Sequence, residues 1–309
     1  MEFYHEPIML KEITEGLELN PSDIFVDCTL GGAGHSSEII KHIPNGLLIG
    51  IDKDQSAINY ANNRLSDFKN KKIIKSDFKR FPEILKELEI TEVDKILIDL
   101  GVSSHQIDTA KRGFSFRFDA PLDMRMDTSQ EKTAWHVVNF YPKEKLVKII
   151  REFGEERFAP QIVNNILKHR RQKAINTTTE LKNIIDECLP KKYLYSSKGA
   201  EKKTFQAIRI EVNAELEGLA EVLQKMINSL KKGGKMAVLT FHSLEDRIVK
   251  TIFKENSVGC ICPSGTPICV CGHKQTIKIL TKKPLVAGPE EQQKNPRSTS
   301  AKLRIIEKL

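Results

Sequence analysis

A glycine-rich run between two apolar segments is the feature that most limits how this chain can fold. Residues 27–35 follow the apolar segment 24–26 and precede an amphipathic segment at 36–43, and a second apolar segment, 47–51, ends at Asp52. The order strand, glycine-rich turn, helix, strand and acid is typical of the cofactor-binding half of a Rossmann-like sheet. We therefore predict a nucleotide-type cofactor pocket at the turn.

Strand-like and helical segments alternate through the first hundred residues. Further strands are predicted at 71–75 and 95–99, with helices at 54–65 and 80–88. The helix at 54–65 begins with Asp54, a residue type favoured at N-caps. Alternation of this kind predicts an α/β fold in which a parallel sheet is covered by helices on both faces.

The alternation stops after Asp99. Residues 101–128 have the composition of a loop and residues 131–190 carry helical periodicity, which predicts a helical insertion in the α/β domain. The pattern then resumes, and the elements predicted there are a helix over 206–231, a strand over 236–240, a helix over 244–253 and a closing β pair at 276–280 and 302–306.

The charge balance is basic, with 49 Lys and Arg against 41 Asp and Glu and a net charge of +8. A basic balance suits either a solvated surface or a polyanionic substrate, and charge alone does not decide between them. No apolar run reaches the roughly 18 residues of a membrane helix, and the first residues lack the basic and apolar regions of a signal peptide. We expect a cytoplasmic protein with no membrane partner.

Four of the six cysteines form two Cys-x-Cys pairs near the C-terminal end, Cys260 with Cys262 and Cys269 with Cys271. In a cytoplasmic chain such a cluster indicates thiols or a metal site, not a disulfide framework. The spacing is tighter than the Cys-x-x-Cys of zinc ribbons. Zinc and a loop of reduced thiols both stay open, so no metal ligand is assigned from the sequence.

Acidic residues at the ends of the predicted strands extend the cofactor pocket. Asp52 follows Gly31 by about 20 residues, a separation that suits an acceptor for ribose hydroxyls. Phe78 follows the third strand and can stack on an adenine. Asp99 ends the fourth strand, where sheets of this kind place their reaction loop.

Motifs along nearly the whole chain resemble those of the bacterial 16S rRNA (cytosine-N(4))-methyltransferase family, RsmH, also called MraW. The segments that carry the resemblance are 4–10, 27–35, 99–104, 112–116, 121–127, 154–158, 204–213, 241–249 and 295–298. Two positions depart from the pattern, because His105 stands where Pro is common and Thr299 where Arg is common. The second departure weakens any RNA role for its loop.

The resemblance implies a class I methyltransferase fold, a Rossmann-like sheet with an inserted helical domain. It implies S-adenosylmethionine as methyl donor and a cytidine in the decoding region of 16S rRNA as target, with the rRNA or the small ribosomal subunit as partner. We expect a methyltransferase domain of residues 1–105 and 206–309 and an RNA-recognition insertion of 106–205. The oligomeric state stays open, and a dimer is one option.

The resemblance also names cofactor contacts, which fall here on Ala33, Gly34, His35, Asp52, Phe78, Asp99 and Gln106. The turn, Asp52, Phe78 and Asp99 are also indicated by the residue pattern alone. Gln106 comes from the resemblance only.

Catalysis on an exocyclic amine needs positioning and acceptors for its N–H groups, because the nitrogen lone pair is delocalised into the ring. We hypothesise that Asp99, Ser103 and Ser104 line the site of the amine and that His242 approaches it from the other side. A structural role for His242 is equally consistent with its position.

Two other functions fit part of the sequence. A nicotinamide-dependent oxidoreductase would use the same turn, but Ser37 breaks the Gly-x-Gly-x-x-Gly pattern. A non-catalytic RNA-binding or assembly protein would use the cysteine cluster and the positive charge. The aromatic, basic loop 111–118 is a candidate RNA clamp, because its phenylalanines can stack on bases, but they can equally tie the insertion to the sheet. Binding of S-adenosylmethionine and methyl transfer would distinguish these functions.

Overall fold

The computed structural model describes residues 7–190, 199–262 and 268–309. The first half of the motif at 4–10 lies outside the described residues. The chain divides into two compact units, a sheet unit of Met1–Gly101 with Glu217–Leu309 and a helical unit of Val102–Leu216.

The sheet unit contains a seven-stranded sheet of described residues. Its strands are β1 (Ile24–Asp27), β2 (Leu47–Asp52), β3 (Lys71–Lys75), β4 (Val93–Asp99), β5 (Leu230–Thr240), β6 (Ile277–Ile279) and β7 (Lys302–Lys308). The spatial order is β3-β2-β1-β4-β5-β7-β6. Strands β1 to β5 are parallel, and β7 runs antiparallel to both of its neighbours. This is the class I methyltransferase arrangement, so the predicted fold class is confirmed.

The helices divide between the two compact units. The sheet unit has α1 (Leu10–Leu17), α2 (Gly34–His42), α3 (Gln55–Arg64), α4 (Phe81–Glu87), α11 (Leu219–Asn228), α12 (Ser243–Asn256) and α13 (Pro289–Lys294). The helical unit has α5 (Ser104–Asp108), α6 (Ala134–Phe140), α7 (Lys143–Glu152), α8 (Ala159–Arg170), α9 (Thr178–Glu187) and α10 (Ala200–Asn213). Asp54 caps α3 as predicted, because its side chain accepts from the Ser56 backbone N–H.

One predicted helix is wrong. The sequence predicts a continuous helix over 206–231, but α10 ends before Ala214 and α11 begins after Gly218. Both residues adopt left-handed backbone conformations, with φ of 50° and 69°, which a continuing right-handed helix does not contain. The expected domain limit at 205/206 therefore lies inside α10, whereas the compact units divide at 216/217.

Each unit has its own apolar core. In the sheet unit, the central strands are apolar on both faces, and Phe25, Leu48 and Leu97 are fully buried, as parallel strands covered by helices require. In the helical unit, α6 to α10 bury a separate cluster that includes Leu146 and Ile162. None of the helices in the described ranges is long and apolar enough to span a membrane.

Candidate active site

The chain order of the strands reverses between β1 and β4, which are neighbours in the sheet. In open α/β sheets the ligand crevice lies outside the carboxyl ends of the strands at such a switch point. The loop after β1 is hydrogen-bonded to both neighbouring strands, β4 and β2. The Cys28 N–H donates to the Leu97 carbonyl at 2.9 Å, and the Leu30 N–H donates to the Ile51 carbonyl at 2.9 Å.

Asp52, at the end of β2, is bound to the glycine-rich turn. Its Oδ2 accepts from the Gly31 N–H and its Oδ1 from the Asp54 N–H, each at 2.8 Å. Burial raises the pKa of this carboxyl. Each carboxylate oxygen can accept a second hydrogen bond, so Asp52 retains capacity for hydroxyl donors such as those of a ribose.

The first turn of α2 begins directly after this loop. Its N-cap residue, Ala33, has a left-handed φ of 55°, and no side chain of the described residues caps it. Uncapped N–H groups at a helix N-terminus suit an anionic group such as a carboxylate. The His35 ring is buried, with Nε2 2.9 Å from the Ile8 carbonyl, and it ties the segment before α1 to the loop.

Phe78 lies just beyond the end of β3, where it begins a short 3-10 helix, Phe78–Arg80, and is half-buried. Asp77 caps this helix by accepting from the Lys79 N–H at 2.9 Å, and Lys53 lies 3.9 Å from its carboxylate. A half-buried ring beside a strand end suits stacking on an adenine.

Asp99 ends β4 within a buried acidic cluster. Its N–H donates to Thr29 Oγ1 at 2.6 Å, while its Oδ1 is buried and has no hydrogen-bond partner among the described residues. Burial is the largest cause that raises the pKa of Asp99 to about 8, and repulsion from the Asp27 and Glu245 carboxylates adds to it. A carboxyl that titrates near neutrality can accept a proton during a reaction.

The neighbouring Asp27 is more completely satisfied. Its Oδ2 accepts from Ser36 Oγ at 2.6 Å and its Oδ1 from the Thr29 N–H at 3.1 Å. Burial raises the pKa of Asp27 to about 6, against the lowering effect of these bonds and with a smaller contribution from Asp52. Three carboxyls on β1, β2 and β4 thus share one strand-end region, which favours cationic ligands.

His242 is the N-cap residue of α12, and its Nδ1 accepts from the Glu245 N–H at 3.4 Å. Its Nε2 lies 3.0 Å from Glu245 Oε1, yet the alignment does not make a hydrogen bond, and the atom has no partner within the described ranges. The ring therefore caps the helix through Nδ1 and lies beside the Glu245 carboxylate through Nε2.

Ser103, Ser104 and Gln106 belong to the helical unit. Ser103 is the N-cap of α5, where its Oγ accepts from the Gln106 N–H at 3.2 Å and the Gln106 side chain accepts from the Ser103 N–H at 3.1 Å. The structure thus places Asp52, Phe78 and Asp99 at strand ends of the sheet unit. It places Ser103, Ser104 and Gln106 at the start of a helix in the helical unit.

Sequence reasoning missed Asp27, Thr29 and Glu245 as members of the site. Asp27 and Thr29 lie inside the glycine-rich run, but their contacts with β4 depend on strand pairing. Glu245 had a local signal, because an acid three residues after an N-cap is the pattern of a capping box. Its Oε2 accepts from the Phe241 N–H at 3.0 Å.

The loop 111–118 divides between core and surface. Phe114 and Phe116 pack against the core of the helical unit, and Phe116 meets Phe205 edge to face at 5.1 Å. Phe118 remains 48% exposed. Arg125 forms an ion pair within the helical unit, because it binds both carboxylate oxygens of Asp123 at 2.9 and 2.7 Å.

An exposed aromatic group lies on α6. Trp135 meets the rings of His136 and Phe140 edge to face, at 5.4 and 5.1 Å between centroids. Phe140 is 65% exposed. Trp135 is partly buried against the core of the helical unit, so Phe140 is the more exposed of these two rings.

The residues at the strand ends suit S-adenosylmethionine. The buried acidic cluster of Asp27, Asp52 and Asp99 suits its cationic amino-acid end, and the uncapped start of α2 suits its carboxylate. Asp52 and Phe78 offer an acceptor and a ring for the ribose and the adenine.

Comparison with known proteins agrees with this chemistry. The model of the MraW methylase family matches residues 2–309. Three curated relatives named "Ribosomal RNA small subunit methyltransferase H" align over 100% of both chains. They come from Clostridium botulinum (strain Kyoto / Type A2), 48% identical, Clostridioides difficile (strain 630), 46% identical, and Finegoldia magna, 49% identical. The predicted resemblance is confirmed, and the chain belongs to the MraW methylase family of S-adenosylmethionine-dependent methyltransferases.

Proposed function

We propose that this protein methylates N(4) of a cytidine in the decoding region of 16S rRNA, acting in the cytoplasm on the rRNA or the small ribosomal subunit. The full-length similarity to proteins named as methyltransferases of small-subunit rRNA supports the substrate class. The observation that carries the chemistry is the unpaired carboxylate oxygen of Asp99 at the switch point of the sheet.

S-adenosylmethionine supplies a methyl group on a positively charged sulfur. The chain must hold the cytosine amine in line with that group and draw its lone pair out of the ring. Asp99 accepts an N–H of the amine, which favours the tetrahedral nitrogen of the transition state. With a pKa of about 8 before substrates bind, Asp99 is also suited to take the proton that the methylated nitrogen loses.

The remaining proposed roles follow from position. Ser103 and Ser104 lie on the chain directly after β4, and their hydroxyls offer further acceptors for the amine. Ala33, Gly34 and His35 contact the cofactor at the start of α2. Gln106 completes the proposed cofactor contacts from α5.

His242 is proposed to act through Nε2, and substitution separates this role from helix capping. Asn preserves the cap of α12 but removes the ring, whereas Ala removes both. We expect His242→Asn and His242→Ala to lower methyl-transfer turnover by about 10²-fold or more, the lower end of what one positioned side chain contributes. S-adenosylmethionine affinity, measured by calorimetry, should stay near the wild-type value. Wild-type turnover in His242→Asn would show that the histidine only caps the helix.

The exposed aromatic group on α6 is proposed to stack on rRNA bases. Base–aromatic stacking contributes about 1–3 kcal/mol per base, so Phe140→Ala should raise KM for the RNA substrate by about 10-fold. The Kd for S-adenosylmethionine should not change. Val286→Ala removes a side chain of similar exposure, 59%, from the sheet unit and serves as control. An equal effect of both substitutions would contradict the stacking role.

The proposed target is tested in cells. Mass-spectrometric mapping of 16S rRNA from a strain lacking this protein should show the loss of one N(4)-methyl group from a decoding-region cytidine. The wild-type gene should restore it, and a gene carrying Asp99→Asn should not. An unmodified wild-type cytidine, or an unchanged pattern in the deletion strain, would defeat the proposal.

A further inference from the structure

The two Cys-x-Cys pairs converge in the structure although six residues separate them in the sequence. They lie in the segment between α12 and β6. One sulfur from each of Cys260, Cys262, Cys269 and Cys271 lies within 4.8 Å of the other three. This convergence is not explained by methyl transfer, because no predicted site residue lies in the segment.

The spacing of the sulfurs suits a tetrahedral metal centre. The Cys269 and Cys271 Sγ atoms are 3.5 Å apart, and the Cys271 and Cys260 Sγ atoms are 3.8 Å apart. With zinc–sulfur bonds of about 2.3 Å, the sulfur–sulfur edge of a regular tetrahedron is about 3.8 Å. One central ion can therefore reach four sulfurs placed like these.

The backbone around the cluster supports thiolates. The Cys262 N–H donates to Cys260 Sγ at 3.4 Å, and the N–H groups of Ile261 and His273 donate to the Cys271 sulfur. One sulfur of each pair, that of Cys260 and that of Cys271, thus accepts from the backbone N–H two residues later in the chain. Such N–H···S bonds orient metal-binding sulfurs and spread their negative charge.

The segment is anchored at one end but has little core of its own. The His273 ring binds the Glu255 carbonyl at 2.8 Å, and the Thr276 N–H donates to the Asn256 carbonyl at 2.9 Å. In contrast, apolar side chains beside the cysteines are exposed: Ile261 by 53%, Ile268 by 76% and Val270 by 83%. The described residues around the cysteines bury little apolar surface, and a structural metal can supply the order that an apolar core does not.

We propose that Cys260, Cys262, Cys269 and Cys271 bind one Zn²⁺ ion as four thiolates. Binding releases the four thiol protons and forms four zinc–sulfur bonds, with no change of oxidation state. The ion holds the two Cys-x-Cys pairs against each other. Four sulfurs within 4.8 Å of one another fill a tetrahedral site, so the proposed ligand set is sulfur only.

The test measures metal content and thiol protection in the full-length protein. Protein purified in reducing buffer without chelators should contain about one zinc per chain by mass spectrometry of metals. The double variant Cys269→Ser/Cys271→Ser should contain almost none. Cys188→Ser removes a thiol of the helical unit that lies outside the cluster and should retain the wild-type zinc content.

Thiol chemistry gives a second readout that does not depend on activity. The four cluster thiols should react slowly with a thiol reagent in the zinc-loaded protein and rapidly after zinc is extracted. Limited proteolysis between α12 and β6 should become faster on extraction. Zinc content that is equal in the double variant and the wild type, fast-reacting cluster thiols, bound iron, or disulfides between the pairs would each overturn the proposal.

Discussion

Replacing Asp99 by asparagine is expected to lower kcat for methyl transfer by about 10²–10³-fold, the range found when a positioned acceptor or base is removed. Asparagine has nearly the same volume and occupies the same buried position, but its amide cannot take up a proton. S-adenosylmethionine affinity should fall by no more than about 10-fold, because the site retains its other contacts. Single-turnover kinetics at saturating cofactor measures the chemical step directly.

The pH dependence provides a sharper form of this prediction. Asp99 must be ionised to accept an amine N–H, and its pKa is raised to about 8 by burial and by the neighbouring acids. The value of kcat/KM should therefore rise with pH in the wild type, reach half its maximum near pH 8 and level off about one unit above that. The Asp99→Asn variant should lack this rise. A wild-type pH profile in the variant would contradict the assigned role.

Stability measurements separate lost chemistry from misfolding. The native state holds a proton on Asp99 between its ordinary pKa of 3.8 and about 8, where the unfolded chain has lost it. The wild-type free energy of unfolding therefore falls across this window as pH rises. Asn carries no charge, so Asp99→Asn should be more stable by roughly 1–3 kcal/mol at pH 8 and similar at pH 4. A less stable variant at pH 8 would count against a buried, unpaired carboxylate.

Replacing Asp52 by alanine is expected to raise the Kd for S-adenosylmethionine by about 10- to 100-fold, equivalent to 1.4–2.8 kcal/mol. The substitution removes the acceptor proposed for the ribose hydroxyls. It also leaves the Gly31 N–H without its partner at 2.8 Å, which loosens the turn. At saturating cofactor, kcat should change by less than about 3-fold, because Asp52 does not contact the reacting atoms.

Asp54 provides the matched control for Asp52. Its carboxylate lies two residues away and caps α3 by accepting from the Ser56 N–H at 2.9 Å. Asp54→Ala should cost about 1 kcal/mol of stability and leave cofactor affinity near the wild-type value. Equal losses of affinity in both variants would show that Asp52 acts through the local fold and not through the cofactor.

The strand ends show how far local pattern reaches. Asp52 and Asp99 could be assigned to strand ends because apolar runs precede them and turn residues follow. Their environment could not be assigned, because it depends on which strands are neighbours. The contact between Thr29 and the Asp99 N–H joins residues 70 positions apart, and no local pattern indicates it.

The periodicity of apolar residues also gave a wrong prediction where the backbone conformation interrupts a helix. The helical spacing of apolar residues continues across Ala214 and Gly218, so one helix was predicted where two exist. In the loop 111–118, three phenylalanines look alike in the sequence. Packing places Phe114 and Phe116 against the core of the helical unit and leaves Phe118 exposed.

The sequence by itself determined the fold class, the position of the glycine-rich turn and the family, because periodicity and contiguous motifs are properties of neighbouring residues. Only the tertiary structure decided that Asp99 is a buried acid with an unpaired oxygen, that Asp27 and Glu245 raise its pKa, and that four cysteine sulfurs converge. Burial, repulsion between charges and metal-ligand spacing depend on distances between residues far apart in the chain, and these distances exist only after the strands have paired and the helices have packed.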